Sequence, residues 1–578
     1  MSHNVKGRGT TGRVISPDLC GALTCVMAIV FTCPGLLHAQ TVPNAGSVLH
    51  QIEGKRQKSL PPPSAPQFLP PPPMKSLGGA TVVVKSFRFA GNKLLTDKRL
   101  AAAVAGFLNR RLDFTQLQNA TVAVASAYRK AGWVVRVYLP RQDVTTGTVT
   151  IQIVEAVFGA VHVEGRSRRV SADRIARMID AAQPPGAPVN ADALDRALLL
   201  INDLPGVSAT GRLSAGLQPA ETDLNISAAD GPLVTGLISA DNYGERFTGA
   251  AQLTTEASLN SPFGFGDRAD GLWLHSQGSD YERAAYSLPL GVGGWRLGVN
   301  GAHLNYRIVT ADFAALDAHG SSTTAGIDAS YPLLRAPLKN VYIDLTAGDK
   351  LFDNQSAGFT TGHYSIRTGS AGLYGNVFDT LGGGGSNSFS LTYEQGMLDL
   401  AGSANEAADA LTTDTAGSFG KLSLSASRLQ RITRRWSLYA GVSAQGATKN
   451  LDSSERFYLG GASGVRAYPT NEGGGSEGLL ADLEARVSLP AGFNASGFFD
   501  WGEVRINKDD NFLGAARPNT DRLRGAGLSV GWVAPFGFNV RVTAARRIGR
   551  NPEPTATGAD QGGSLVMNRV WLQASMPF

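Results

Sequence analysis

After Gly231 the helical hydrophobic period disappears, and the remaining 347 residues run as alternating segments punctuated by Gly, Asn, Asp and Ser. Side chains of an extended chain point to opposite faces in turn, so this alternation predicts strands with one apolar and one polar face. Phe247 to Asn260 sets Phe247, Ala251, Leu253, Ala257 and Leu259 against Gln252, Thr254, Glu256, Ser258 and Asn260. Trp436, Leu438, Ala440, Val442 and Ala444 alternate in the same way with Ser437, Tyr439, Ser443 and Gln445, as do Phe538, Val540, Val542 and Ala544 with Asn539, Arg541 and Thr543. A soluble sandwich shares such alternation, so strand length decides between the two. Long runs at about 20 residues per strand plus connection predict a transmembrane β-barrel of roughly sixteen antiparallel strands, wide enough for a channel. At the C-terminus Val570, Leu572, Ala574, Met576 and Phe578 share one face, opposite Arg569, Trp571, Gln573 and Ser575. A final strand that ends on an aromatic suits an outer-membrane barrel.

The N-terminus fits the same compartment. Lys6, Arg8 and Arg13 precede an apolar run from Ala22 to Phe31, and Leu37-His38-Ala39 supplies small residues for cleavage. This reads as a secretory signal peptide over residues 1–39, removed after Ala39, because the run is about half the length a spanning helix needs. Cys20, Cys25 and Cys33 all fall within it, so the mature protein is expected to have no disulfide and no thiolate metal site. Residues 40–59 carry a short amphipathic pattern with Val48, Leu49 and Ile52 at helical spacing. Residues 60–80 hold Pro61 to Pro63 and Pro70 to Pro73, whose rings force an extended spacer.

Between spacer and barrel the chain repeats itself at about 75 residues. Residues 81–156 read as a strand (Val82, Val84, Phe87, Phe89), a helix capped by Thr96 with Leu100, Val104, Phe107 and Leu108 on one face, a second helix (Leu117, Val124, Tyr128), and two strands. Residues 157–231 repeat the order with Val161 and Val163, then Ile175, Met178 and Ile179, then Leu194, Leu198 and Ile201, then two strands near 207–215 and 223–229.

Charged residues make up only 17% of the chain and the net charge is +6 without a dense basic block, which gives no case for nucleic acid. Gly382 to Gly385 lacks a following Lys-Ser/Thr, so it reads as a hairpin connection and not a phosphate loop. None of the eight His residues sits in a recognisable catalytic setting. No cofactor, metal or enzymatic activity is expected.

Five segments carry a resemblance to the outer-membrane transporters of two-partner secretion, the hemolysin secretion/activation family of the POTRA-barrel superfamily. They are Gly46 to Glu53, the proline linker, the paired repeats with Leu198 to Val207 in the second, Asp241-Asn242-Tyr243-Gly244 at the first barrel strand, and Gly464-Val465-Arg466-Ala467-Tyr468-Pro469. The last is similar to the superfamily's inward-folded loop motif, with Ala467 where glycine is usual. A methyl is tolerated if φ is negative there and strained by about 1 kcal/mol if φ is positive.

The resemblance implies a 232–578 barrel in the outer membrane of a Gram-negative bacterium, two periplasmic α+β POTRA domains and a plug helix at 40–59. It implies that Arg466 meets an acidic residue of the barrel wall, for which Asp500 in Phe499-Asp500-Trp501-Gly502 is the match. It further implies that an unfolded, β-rich secreted partner docks on the edge strand of the first domain, here Val134, Val135, Val137 and Tyr138. Outer-membrane lipid, periplasmic chaperones and the barrel-assembly machinery are the other partners implied. The alternatives are a membrane-protein insertase, a barrel enzyme and a passive porin.

Overall fold

The protein is seen in a computed structural model that describes residues 42–54, 59–64, 81–165, 167–552, 554, 555, 558–564 and 566–578. The expected signal peptide and residues 65–80 of the proline segment lie outside the described residues. Sixteen antiparallel strands close into one barrel, in which the first (Val234–Asp241) pairs with the last (Asn568–Pro577). Closure matters because an open sheet edge has no hydrogen-bond partners in lipid. Strands range from 8 residues in the first to 21 in the eighth, Phe359–Asp379. Among the described residues no helix is long and apolar enough to cross a membrane.

The alternation sorts faces as expected. Leu253, Leu259, Val570, Leu572 and Met576 are exposed on the outer wall, whereas Ser258, Asn260 and Trp571 are buried on the inner side. One segment departs from its alternation, since the second strand is Gln252–Asn260 and does not begin at Phe247. Gly249, at φ 98°, breaks the extended run, and Phe247 folds inward, edge-on to Phe313 at 5.6 Å.

Each soluble domain packs two helices on a three-stranded sheet. In the first, Ser86–Ala90 runs parallel to the central strand Thr148–Glu155, and Val135–Tyr138 pairs antiparallel on the other side. Helices Asp97–Val104 and Phe114–Lys130 bury Leu100, Val104, Val124 and Tyr128 against Ile151 and Ile153. The second repeats this with strands Val157–Glu164, Glu221–Asp230 and Val207–Ala215 under helices Ala172–Ala182 and Ala191–Asn202.

Two local expectations are corrected. The run from Val82 to Phe89 is two strands, because the N–H groups of Lys85 and Ser86 both turn to the Gly147 carbonyl, and Thr81–Val84 then pairs with Arg110–Asp113. The first helix ends at Val104, so Leu108 lies beyond it in extended backbone, and the Thr96 side chain makes no cap bond.

The second domain is fastened to the turns at one end of the barrel. Arg335, buried near the end of the sixth strand (His319–Ala336), donates Nε and Nη2 to both oxygens of Asp203, each at 2.8 Å. Arg174 and Arg196 cap the carbonyls of Gly291 and Pro332 at 2.8 and 3.0 Å, and Ser261 Oγ donates to Arg169 O at 2.5 Å. A bidentate guanidinium with such neighbours fixes the domain's orientation at the lumen mouth.

Candidate functional site

The loop after the eleventh strand (Trp436–Ala447) spans residues 448–476 and folds into the lumen before the twelfth (Glu477–Ser488) begins. Three clasps hold it. At its root, Glu455 is 2% exposed and accepts from Lys350 Nζ at 2.6 Å and Lys421 Nζ at 2.5 Å.

At its tip, Arg466 donates Nη2 to Asp500 Oδ1 at 2.6 Å, and its Nε and backbone N–H to Asp500 Oδ2 at 3.0 and 2.9 Å. Asp500 lies on the thirteenth strand, Phe493–Arg505, with no exposed surface. Nη1 donates to Glu484 on the twelfth strand at 2.5 Å, and Arg486 Nε donates to the other Glu484 oxygen at 2.6 Å. The guanidinium also lies 3.5 Å from the Phe498 ring centroid. Two cations and two anions thus alternate, with Asp500, Arg466 and Glu484 screened from water and Arg486 partly exposed, so the inner pairings are strengthened and a vacancy among them is costly.

The return limb forms the third clasp. Glu472 accepts from Asn551 Nδ2 at 2.8 Å and the Gln561 N–H at 2.9 Å, both in the last loop, residues 548–567. Burial pushes its carboxyl up to about 7, so this clasp is strongest with the acid neutral and weakens as pH rises from about 4.5 through 7. In the same loop Asp560, fully buried, pairs with Arg547, whose guanidinium stacks 4.5 Å from the Tyr468 ring centroid.

Ala467 is fully buried and is not among the positive-φ residues, so its methyl carries no backbone strain. Space for the methyl comes from the wall: a Cβ built on Gly525 of the fourteenth strand (Thr520–Val533) would meet Ala467 Cβ at 2.6 Å. Gly525→Ala is therefore expected to undock the tip, with an overpacking cost of about 1 to 3 kcal/mol seen as faster protease cleavage within 448–476. Adding Ala467→Gly should restore protection. Equal cleavage of the single and double variants would show that the contact carries no energy.

A second element fills the lumen. Helix Ala45–Glu53 is wedged between the wall and the root of the loop. Asn44 Oδ1 accepts the Ser47 N–H at 2.9 Å, while Ala45 N–H is held by Asn354 Oδ1 at 2.8 Å. Nine residues do not hold a helix alone in water, so the lumen keeps it folded. Val48, Leu49 and Ile52 bury against Tyr281, Leu304, Phe352 and Tyr364 of the inner wall. On the other side His50 Nδ1 meets Ser454 O at 3.1 Å, Ser453 Oγ donates to Asn44 Oδ1 at 2.8 Å, and Asn471 Nδ2 donates to Ser47 O at 3.2 Å. The following chain descends the wall, where Asn376 Nδ2 holds Pro61 O at 2.8 Å and Ser64 N–H reaches Pro337 O at 3.1 Å.

Of the residues singled out from sequence, Arg466 and Asp500 are brought together, and Val465, Ala467 and Tyr468 are buried around them. Val135, Val137 and Tyr138 lie on the edge strand of the first sheet. Val134 precedes that strand and gives its N–H to Val189 in the second domain at 3.1 Å. Sequence reasoning missed Glu484, Trp571 (which donates Nε1–H to Arg466 O at 2.7 Å) and the Arg547–Asp560 pair. Their only signal was position: Asp482, Glu484 and Arg486 form an inward polar row, and Trp571 sits opposite the apolar face of its strand.

A barrel whose lumen is filled by its own loop and its own helix, with two soluble domains at its mouth, is closed to free passage in this state. The family model described as haemolysin secretion/activation protein ShlB/FhaC/HecB matches residues 220–532, more than half the chain, and the chain belongs to that family. The ShlB-type POTRA domain model matches residues 82–156.

Among curated proteins, the heme/hemopexin transporter protein HuxB of Haemophilus influenzae is 26% identical over 460 residues, 78% of this chain and 80% of the relative. The outer membrane transporter CdiB of Dickeya dadantii is 25% identical over 416 residues, 70% and 72% of the two chains. Among solved structures, CdiB from Escherichia coli superposes with a TM-score of 0.67 at 21% identity, covering 89% of this chain and 94% of that one. CdiB from Acinetobacter baumannii gives 0.62 at 15%, covering 93% and 100%. The chain is thus a two-partner secretion transporter, which carries a dedicated secreted partner protein across the outer membrane.

Proposed function

We propose that the partner arrives unfolded in the periplasm, adds a strand to the edge Val135–Tyr138, and enters the lumen as helix Ala45–Glu53 leaves it. The observation that carries this reading is the helix itself. It is held by four apolar side chains and a few hydrogen bonds, and is tethered by a proline-rich segment long enough for it to swing out. An edge strand offers main-chain donors and acceptors that bind an extended chain with little demand on its sequence. Val135 and Val137 turn into the domain core, while Arg136 and Tyr138 face solvent and would flank the incoming strand.

Site-directed crosslinking tests the docking surface. Cysteines at Arg136 or Tyr138 should capture a co-expressed partner through its N-terminal region, and cysteines at Phe114 or Val122, exposed on a helix of the same domain, should not. Capture from the helix alone would place the docking surface elsewhere. Folding of the partner outside the cell then supplies the direction of transport, since a folded β-rich chain does not re-enter the pore.

A further inference from the structure

The ladder that closes the barrel is short. First and last strands pair over five residues, Leu237–Asp241 with Gln573–Pro577, extended by a reciprocal pair of backbone hydrogen bonds between Gly236 and Phe578, whereas first and second pair over eight. Above Asp241 the ladder gives way to a side chain. Asn242 Oδ1 accepts the Leu572 N–H at 2.8 Å, its Nδ2 donates to Val570 O at 3.0 Å, and its own N–H reaches Leu572 O at 3.2 Å. A carboxamide carries one acceptor and one donor group on the same plane, so it serves the last strand as another strand would.

Beyond this point the chain leaves the wall. Tyr243 N–H turns back onto Asp241 Oδ1 at 2.9 Å, and a cavity of about 110 Å³ is bordered by Asn242, Arg246, Thr470, Arg569 and Trp571.

The residues beside this gap reach the loop tip. Tyr243 packs edge-on against Trp571 at 5.7 Å, and Tyr243 O accepts from Thr470 Oγ1 at 2.8 Å. Trp571 Nε1–H holds the Arg466 carbonyl. Asn242 and Arg466 therefore grip adjacent stretches of one strand, from the seam side and from the lumen side.

We infer that Asn242 is a positioning residue that clips the extracellular half of the barrel seam and, through Tyr243 and Trp571, keeps the seam closed while the Arg466 loop docks and undocks. Aspartate at 242 could accept from Leu572 but would set a charge against the Val570 carbonyl; alanine could do neither.

Full-length Asn242→Ala and Asn242→Asp proteins, purified from outer membranes, test this in planar bilayers and by heat-modifiability on gels. Both should raise the frequency of brief openings about tenfold and unfold at lower temperature than wild type. A disulfide across the ladder, Ala240→Cys with Ala574→Cys, joins residues directly opposite in register. It should return the openings of Asn242→Ala to the wild-type level, or restore its assembly if Asn242→Ala alone does not accumulate.

Trp571→Phe keeps an aromatic ring against Tyr243 and removes the bond to the Arg466 carbonyl, so it should increase protease cleavage at the loop tip while leaving brief openings near the wild-type frequency. Wild-type openings and melting in both Asn242 variants, or openings and assembly that the disulfide leaves unrepaired, overturn the proposal. These recordings need no partner protein, so they stand or fall separately from the transport reading on which the role rests.

Discussion

Arg466→Ala is expected to cut the amount of partner recovered from the culture medium to below about a tenth of wild type while the barrel still reaches the outer membrane. The substitution removes the cation shared by Asp500 and Glu484 and leaves both carboxylates buried. Removing one partner of a buried pair costs about 3 to 5 kcal/mol, enough to shift the docked loop by two orders of magnitude or more in population. Asparagine at 500 leaves no unpaired charge at that position, so secretion should recover partially when Asp500→Asn is added. Arg466→Lys keeps the charge but cannot span both Asp500 oxygens while reaching Glu484, and should fall between the two. Partner in the medium, cell-retained partner and protease cleavage within 448–476 are the three readings. Secretion and protection both at wild-type level in Arg466→Ala would sink the role assigned to the loop.

Deleting residues 40–60 is expected to raise single-channel conductance at least about threefold, because a helix with its side chains occupies a cylinder roughly 10 Å across that reverts to water. Unchanged conductance would mean that the helix is not what blocks the pore. In the intact protein, pH should reproduce part of the effect. Burial brings the His50 imidazole down to about 4 in the docked helix, its bond to the Ser454 carbonyl opposing this, while Lys421 and Lys350 lower it and Glu455 raises it. A docked state that disfavours protonation is fully stable above the free imidazole's range near 6.5 and loses stability as pH falls towards 4. Glu472 titrates the other way, so acidification to pH 5 should free the helix while leaving the return limb of the loop clasped. Helix-dependent openings should thus increase between pH 7 and pH 5, and His50→Gln should flatten that rise.

Much of this architecture is legible in the chain. A two-residue period read over the last 347 residues is sufficient to place apolar side chains outside and polar ones inside, since lipid and water enforce opposite faces on every strand. The duplicated α+β pattern, the proline spacer and the short helix follow from equally local rules of periodicity and backbone restriction. Arg466 and Asp500 are readable as a pair only through resemblance, as nothing in a separation of 34 residues brings a loop tip to mid-barrel.

What the sequence could not determine is everything that depends on strands meeting across the lumen or around the ring. Phe247 falls on the apolar side of the alternation yet leaves the strand, because Gly249 adopts a conformation that the ladder cannot continue through. Glu484 and Trp571 are inward residues among many until closure sets them beside Arg466, and Asn242 becomes a substitute for backbone only where the first strand meets the last. Local alternation chooses the face of a side chain. Which groups share that face at bonding distance is decided by register and closure, and those are properties of the whole ring.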